Sequence, residues 1–283
     1  MNPSKLKFLL TSVALLGLVT AALPARADIM IVDRGLPTEN LNAAAGANQS
    51  NVSWAEPDLS LFDGDTFTTP NTGTWTVNTI RLWFVGYNAN NNTDLTDDTY
   101  LGDFYNNLSL YVGTGGTLNR VSLASFTPGT DTTSNPNVVG TRVLYNGGVG
   151  TQLDEGAQWT IVQFDFNNLN LDFAAGTQVQ FGMYTDNDYA YSHASNAALS
   201  GSPQEQADGL FSRFVLDSPT TAHLLETVDS NGNGWNKSTD INVQVFASPV
   251  PEPTTMTIII AGACLLLPFK ARTLWMLRKI RTP

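Results

Sequence analysis

Cysteine is almost absent from this chain. The single cysteine among 283 residues is Cys264, and it lies in an apolar run near the C-terminus. The residues before that run can therefore form no disulfide, and they offer no cysteine nucleophile. The stability of the main domain must come from the size of its core, or from a bound metal.

Histidine is scarce as well, which limits the catalytic sites that the sequence can predict. Neither His193 nor His223 lies in an HExxH motif or beside another metal-ligand type, and no G-x-S-x-G motif occurs. Glycoside hydrolysis needs only two carboxylates, and the many acidic residues leave it open. Asp165 and Glu155 are examples of such carboxylates, without a motif that singles them out.

Basic residues are few in the central part of the chain. Residues 28–249 contain 24 acidic and 6 basic residues, a net charge of −18. Such a surface repels phosphate backbones, so we expect no nucleic-acid partner. The same charge favours solubility and attracts divalent cations.

The N-terminus has the pattern of a secretory signal peptide. Lys5 and Lys7 precede an almost entirely apolar stretch over residues 8–23, and Ala25 and Ala27 follow with the spacing of a cleavage site. We expect the mature chain to begin directly after Ala27, outside the cytoplasmic membrane. A buried helix or a permanent anchor is the alternative interpretation.

The C-terminus combines a short apolar run with a basic tail. The 16 residues 254–269 carry no charge, and as a helix they would reach about 24 Å, against a bilayer core of roughly 30 Å. The basic residues that follow are Lys270, Arg272, Arg278, Lys279 and Arg281. They place the tail in the cytoplasm and the main domain outside. An ordinary single-pass anchor is the alternative to a temporary membrane stop.

The residues before this apolar run carry a resemblance to a known sorting signal. Val250, Pro251, Glu252 and Pro253, followed by an apolar segment and a basic end, resemble the PEP-CTERM signal of Gram-negative bacteria. The resemblance implies recognition by exosortase, a membrane cysteine protease, and delivery to the envelope or to extracellular polymer. The prolines would hold the peptide extended, as a protease substrate requires. Pro268 and the scattered basic residues depart from the usual form.

Apolar residues alternate with polar ones along the central part of the chain. Five runs show this period most clearly: Ile80, Leu82 and Phe84; Leu108, Leu110 and Val112; Val162, Phe164 and Phe166; Val179, Phe181 and Met183; and Ile241, Val243 and Val245. The segments IMIV, DTFT, RVSL and RVLY are shorter candidates. About ten short strands between Gly/Asn/Asp/Pro turns predict an all-β, antiparallel two-sheet β-sandwich.

The predicted organisation has three parts. These are a signal peptide with an N-terminal signal helix (1–27), a β-sandwich ectodomain (28–249), and a sorting signal with a short transmembrane helix (250–283). The segment FDGDTFTTPNTGTWTVNTIRLWFVG and the final strand INVQVFAS loosely resemble jelly-roll ectodomains of exported bacterial proteins. That resemblance implies a jelly-roll-like architecture and no activity. Residues 34–60 lack strand periodicity, so an extended excursion is expected there.

One segment has the spacing of a calcium loop. In DSNGNGWNKSTD, residues 229–240, the ligand positions are filled by Asp229, Asn231, Asn233, the Trp235 carbonyl and Asp240. Calcium is therefore a candidate cofactor, bound weakly because few of these ligands are charged. The alternative is a hairpin turn, which Asn-Gly pairs favour.

Aromatic residues are frequent in the ectodomain, and they raise the question of carbohydrate contact. Trp83 and Tyr87 alternate out of phase with the core set, and an exposed row of such rings would stack on sugars. Burial in the core or at a sheet edge is the favoured alternative, because aromatic side chains usually bury.

These features predict an exported cell-surface or extracellular-matrix protein that is not an enzyme. Its expected role is structural or adhesive, with extracellular polysaccharide as a candidate partner besides exosortase and the cytoplasmic membrane. A secreted polysaccharide-active hydrolase that uses paired carboxylates is the alternative. A ligand-binding module with a structural calcium loop is a third hypothesis.

Overall fold

The protein is all-β in the residues that its computed structural model describes. These are 27–36, 60–88, 93–94, 100–103, 105, 107–143, 151–154, 157–186, 190–195, 201, 203–229 and 239–251. The first strands are β1 (Ile29–Arg34), β2 (Leu61–Thr68), β3 (Thr74–Asn88), β4 (Thr93–Asp94), β5 (Leu108–Thr114), β6 (Thr117–Ala124), β7 (Val138–Arg142), β8 (Thr151–Asp154) and β9 (Ala157–Phe166). The others are β10 (Leu171–Ala174), β11 (Gln178–Thr185), β12 (Ala190–Ser192), β13 (Ala194–Ser195), β14 (Leu210–Ser218), β15 (Thr221–Asp229), β16 (Asp240–Ile241) and β17 (Val243–Pro249).

The first layer is an antiparallel sheet, called sheet A here. Its strands follow the order β1-β17-β3-β9-β7, with β4, β10 and β12 also paired to β3 and β8 paired to β9. The long strand β3 is the centre of the sheet because it pairs with β17 on one side and with β9 on the other. The alternation of Val and Ile with polar residues in these strands is what a half-buried sheet requires.

The second layer is a closed antiparallel barrel of six strands in the order β11-β2-β14-β15-β6-β5. The hairpins β5–β6 and β14–β15 form two of its pairs, and β11 closes it by pairing with both β5 and β2. Closure leaves this sheet without an open edge. The sequence predicts a sandwich of two sheets, and the structure is sandwich-like with one layer closed on itself.

The main core lies between sheet A and the barrel. The five alternating sets named from the sequence all lie in it and are buried, which confirms their predicted phase. Phe164 is central, and its ring meets that of Tyr105 edge to face at 4.9 Å between centroids. Each buried ring of this size contributes about 1.5–3 kcal/mol through the hydrophobic effect.

A smaller core fills the interior of the barrel. It consists of Phe62, Tyr111, Leu118, Phe214 and Ala222. The ring of Phe62 lies 5.2 Å from that of Tyr111 and 5.4 Å from that of Phe214, measured between centroids. A strand of the barrel therefore buries both faces, one in each core.

A pair of glycines allows strands β2 and β11 of the barrel to approach each other closely. Gly64 on β2 faces Gly182 on β11 across the strand pair. A Cβ at Gly64 would lie 1.8 Å from the carbonyl oxygen of Phe181, and a Cβ at Gly182 would lie 2.8 Å from the ring of Phe62. Side chains at these positions would force the two strands apart.

The shorter predicted strands are placed with similar success. IMIV lies in β1, DTFT in β2 and RVSL in β6. Of RVLY, Arg142 ends β7 and Val143 follows the strand, and the other two residues lie outside the described ranges. Most of the predicted excursion over 34–60 lies outside the described residues, and so do the predicted signal helix and the predicted transmembrane helix. In the described part of the chain, no helix is both long enough and apolar enough to cross a bilayer.

Candidate functional site

The predicted calcium loop lies only partly within the described residues. Asp229 ends β15 and pairs with Leu210, and Asp240 begins β16. Asp240 accepts hydrogen bonds from the backbone N–H of Gly209, the neighbour of Leu210. Both ends of the loop are thus held beside the same segment. Asn231, Asn233 and Trp235 lie outside the described residues, so calcium binding stays a prediction.

The side chain of Asp240 belongs to a buried group of charges that the sequence did not predict. We call Arg34, Asp65, Asp208 and Asp240 the Arg34 cluster. Arg34 donates from Nη1 to Asp65 at 2.9 Å and to Asp240 at 3.4 Å, and from Nη2 to the carbonyl oxygen of Thr66 at 2.6 Å. Arg34, Asp65 and Asp240 are each at most 2% exposed, whereas Asp208 is exposed.

Burial controls the protonation of these carboxyls. Removal from water raises the pKa of Asp65 to about 7, even though Arg34 opposes the shift. Burial also raises the pKa of Asp240, against the hydrogen bonds that it accepts from Asp208 and Gly209. Asp65 therefore takes up a proton as the pH falls through about 7, and the net charge of the cluster depends on pH.

The carboxylates of Asp65, Asp208 and Asp240 are close enough to hold a cation, because one oxygen from each lies within 4.8 Å of the others. Their oxygens are nevertheless already bound by donors. Asp65 accepts from the N–H of Thr66 at 2.6 Å and of Ile241 at 3.2 Å, besides Arg34. These donors stabilise the carboxylates without a metal, so the cluster is best described as a buried ion-pair network that joins β1, β2 and β16.

A neutral histidine lies next to this network. Nδ1 of His193 is 2.7 Å from Oδ1 of Asn242, and Nδ2 of Asn242 donates to the carbonyls of Arg34 and Gly35 and to Oγ of Ser195. Burial lowers the pKa of His193 to about 4. At neutral pH His193 is therefore uncharged, and its contacts are those of a structural residue.

A cavity lies at one end of the barrel. We call this site the barrel mouth; its volume is about 580 Å³, within the range of small-molecule sites. The residues that line it are Ser60, Asn107, Ser109, Tyr111, Arg120, Leu123, Tyr184, Asp186, Leu216, Asp217, Ser218 and Pro219. Tyr111, Tyr184 and Leu216 continue from the barrel core into the cavity, so its floor is apolar and its rim is polar.

The charged groups of the rim are not equivalent. Asp186 accepts a hydrogen bond from Asn107, and Asp217 lies 2.7 Å from Nδ1 of His223. Arg120 is half-buried, and among the described residues no carboxylate lies within ion-pair distance of its guanidinium. It is opposite Tyr111 on the paired strand, so both side chains point into the barrel.

The start of β2 at the barrel mouth has an unusual backbone conformation. Ser60 has φ of 55°, in the left-handed region that non-glycine residues rarely adopt. Its carbonyl accepts a hydrogen bond from the N–H of Leu216 at 2.9 Å, which ties β2 to β14 at the rim. Such conformations are costly, and they concentrate at functional sites.

The first and last strands of the domain bring residues 27–29 and 247–251 side by side. Ile29 pairs with Ala247 on the neighbouring strand, because β1 and β17 are antiparallel. Ala27 and Pro251 are both exposed, and the N–H of Val250 still bonds to the carbonyl of Thr74 at 2.8 Å. The predicted cleavage site and the start of the predicted sorting motif are thus neighbours. Ala25, Glu252 and Pro253 lie outside the described residues.

The structure also bears on the exposed aromatic row and on the pair of catalytic carboxylates that the sequence left open. Trp83 is only 4% exposed, so it cannot belong to an exposed aromatic row on a sheet face. Its burial agrees with the favoured alternative of aromatic packing. Asp165 is bound by Arg81 at 2.6 and 3.0 Å, which leaves it committed to an ion pair, and Glu155 lies outside the described residues.

The sequence contains a pattern from which the Arg34 cluster could have been predicted. Asp63, Asp65 and Phe67 share one phase of β2, and Phe67 is in the main core. A carboxylate in that phase must be buried and needs a cationic partner. Arg34 is in the same phase of β1 as the buried Val32, so its guanidinium is also buried and is the cationic partner. No local pattern predicts the barrel mouth, because this cavity forms only when the barrel closes.

Comparison of the chain with protein-family models, with curated proteins and with solved structures finds no match. The fold and the two sites are therefore interpreted from their own geometry.

Proposed function

We propose that this chain is an exported, non-enzymatic protein of the cell surface or extracellular matrix, with a structural or adhesive role and contact with carbohydrate. Its C-terminal signal resembles PEP-CTERM and would be the substrate of an exosortase-type protease. In this proposal the signal peptide is a helix, the apolar run after residue 253 crosses the membrane, and the ectodomain is jelly-roll-like.

The observation that carries the proposal is the way the chain leaves the domain. Val250 is still hydrogen-bonded to β3, and Pro251, the next residue, is exposed. The sorting motif thus begins where the last strand ends, with no intervening linker. A protease at the membrane would meet an extended, accessible peptide beside a stable domain.

The position of the barrel mouth supports contact with extracellular polymer, because the mouth and Val250 lie at opposite ends of β2. Ser60 lies at the barrel mouth, and Thr68 is eight residues further along the strand, roughly 26 Å away. Beyond Thr68, Thr69 bonds to the carbonyls of Ala174 and Thr177, and Ala174 pairs with Thr74, which holds Val250. The barrel mouth is therefore at the end of β2 opposite to Val250, where the proposed sorting motif begins.

The localisation part is tested by changing the motif. We expect E252Q combined with P251A and P253A to leave full-length protein in the membrane fraction of a Gram-negative host that has such a protease. The matched control is E226Q, which removes an exposed carboxylate that pairs with Arg213. Immunoblots of cytosol, membrane and medium would show a shortened product for the wild type and for E226Q. Delivery unchanged by the motif variant would contradict the proposal.

The hydrolase hypothesis has one observation in its favour. Asp65 and Asp240 are close together and both have raised pKa values, as a general acid requires. Both are buried, however, and Arg34 donates to each. A substrate would have to displace this network to reach them, so the arrangement favours the non-enzymatic proposal. Release of reducing sugar from polysaccharides by the wild type, lost in D65N, would reverse this preference.

A further inference from the structure

The barrel mouth contains a cation that other described residues leave without a counter-ion. Arg120 is half-buried and opposite Tyr111, and its side chain makes no hydrogen bond to another residue of the described ranges. Its backbone is fixed, because its N–H bonds to the carbonyl of Thr220 at 2.8 Å. The backbone of Arg120 is therefore fixed beside the cavity that its side chain lines, and its guanidinium donors have no partner among the described residues.

The groups around Arg120 limit the kind of anion that fits. Asp186 and Asp217 on the same rim are bound to Asn107 and to His223, and they would repel a dianion such as a phosphate monoester. A single carboxylate meets much less repulsion, and guanidinium binds it through two parallel hydrogen bonds. The site thus favours a monoanion.

The remaining lining fits the body of a sugar. Tyr184 and Leu216 form an apolar wall that matches the apolar face of a pyranose ring. The hydroxyl group of Ser109 can donate and accept, and the acidic rim accepts from ligand hydroxyls, whereas Ser218 is already bonded to Thr220 and Thr221. The volume of about 580 Å³ holds a small ligand with water at its edge.

We infer that the barrel mouth binds a hexuronic acid unit, with the sugar carboxylate on Arg120 and the ring against Tyr184. This inference rests on the carbohydrate contact proposed above and names its ligand class and its site. The strained backbone at Ser60 holds the rim that β2 and β14 share around this unit.

The test compares two ligands that differ only at C6. Methyl β-D-glucuronide and methyl β-D-glucoside are titrated into the purified full chain, and binding is followed by ligand-observed NMR. We expect the wild type to bind the glucuronide at least about tenfold more tightly than the glucoside. R120M should remove this preference, and R120K should retain part of it. R142M is the control, because Arg142 pairs with Asp131 outside the cavity. Thermal unfolding establishes that each variant is folded.

Each outcome has a distinct meaning. Equal binding of the two glycosides by the wild type, or a preference unchanged in R120M, overturns the assignment to uronic acid while carbohydrate contact stands. Glucose 6-phosphate is titrated in the same way as a third ligand, and tighter binding of it than of the glucuronide overturns the preference for a monoanion. Binding of none of the three overturns both this inference and the carbohydrate part of the proposed function. The localisation part is decided separately by the motif variants.

Discussion

The guanidinium of Arg34 lies 2.9 Å from the carboxylate of Asp65, and both side chains are almost fully buried. The pair joins the end of β1 to the middle of β2, 31 residues further along the chain. A buried pair of this kind costs desolvation energy in both partners, so removal of only one partner leaves an uncompensated charge.

Arg34 is therefore expected to be a strong determinant of stability. We predict that R34M lowers the free energy of unfolding by about 3–5 kcal/mol, because Asp65 and Asp240 lose their shared cation. R142M is the comparison, since the partner of Arg142, Asp131, is nearly half exposed, and its loss should cost about 1 kcal/mol or less. Urea unfolding at pH 7.5 measures both. Equal costs for the two variants would refute the role of burial.

The dependence of stability on pH is expected to contain two opposing contributions. The pKa of Asp65 is raised to about 7, so the folded state binds this proton more tightly than the unfolded chain and gains stability as pH falls from about 7 to about 4. The pKa of His193 is lowered to about 4, so the folded state loses stability as pH falls from about 6.5 to about 4. Asp240 acts in the same direction as Asp65, with Arg34 and Asp208 facing both.

Variants separate these two contributions. H193Q should become more stable relative to its own value at pH 7 as the pH falls to 4.5, because only the carboxyl contribution is left. D65N should gain less stability than H193Q over the same range, because the histidine contribution then opposes only that of Asp240. Thermal unfolding between pH 4.5 and 7.5 measures the slopes. Slopes identical to that of the wild type in both variants would contradict the assigned shifts.

The close approach of β11 to Gly64 predicts that one added methyl group at this position strongly lowers the stability of the fold. G64A should lower the free energy of unfolding by about 3 kcal/mol, because the new Cβ meets backbone atoms of β11 that cannot move alone. G35A is the matched control: its Cβ would be near the side-chain ends of Gln244 and Asp33, which can rotate away. Differential scanning calorimetry compares the two, and a G64A variant as stable as G35A would show that the barrel tolerates wider spacing.

The predicted calcium loop over residues 229–240 gives a testable expectation for metal binding. We expect isothermal titration of the full chain to give heat at millimolar calcium, and D229N to weaken binding about tenfold or more because the first loop ligand loses its charge. D172N is the control, since Asp172 is an exposed carboxylate on β10 that bonds to Thr76. Absence of heat in the wild type would remove calcium from the list of cofactors.

Much of the fold could be predicted because alternation along a strand is a local property. Phe164 and Phe166 were placed in the core from their spacing alone, and the structure buries both. The closed barrel could not be predicted in this way, because the pairing of β11 with β2 and β5 joins segments far apart in sequence. Chain-distant pairing depends on which sheet edges meet, and local patterns contain no information about that.

The sequence by itself determined the strand phases and the excess of acidic residues, since each depends only on the residues and their neighbours in the chain, whereas the leader and the sorting-type tail stay predictions. Only the tertiary structure decided that Asp240 pairs with Arg34, 206 residues away, and that Arg120 faces a cavity. The physical reason is that an ion pair or a cavity requires groups from several strands to converge, and convergence arises only when the sheets pack.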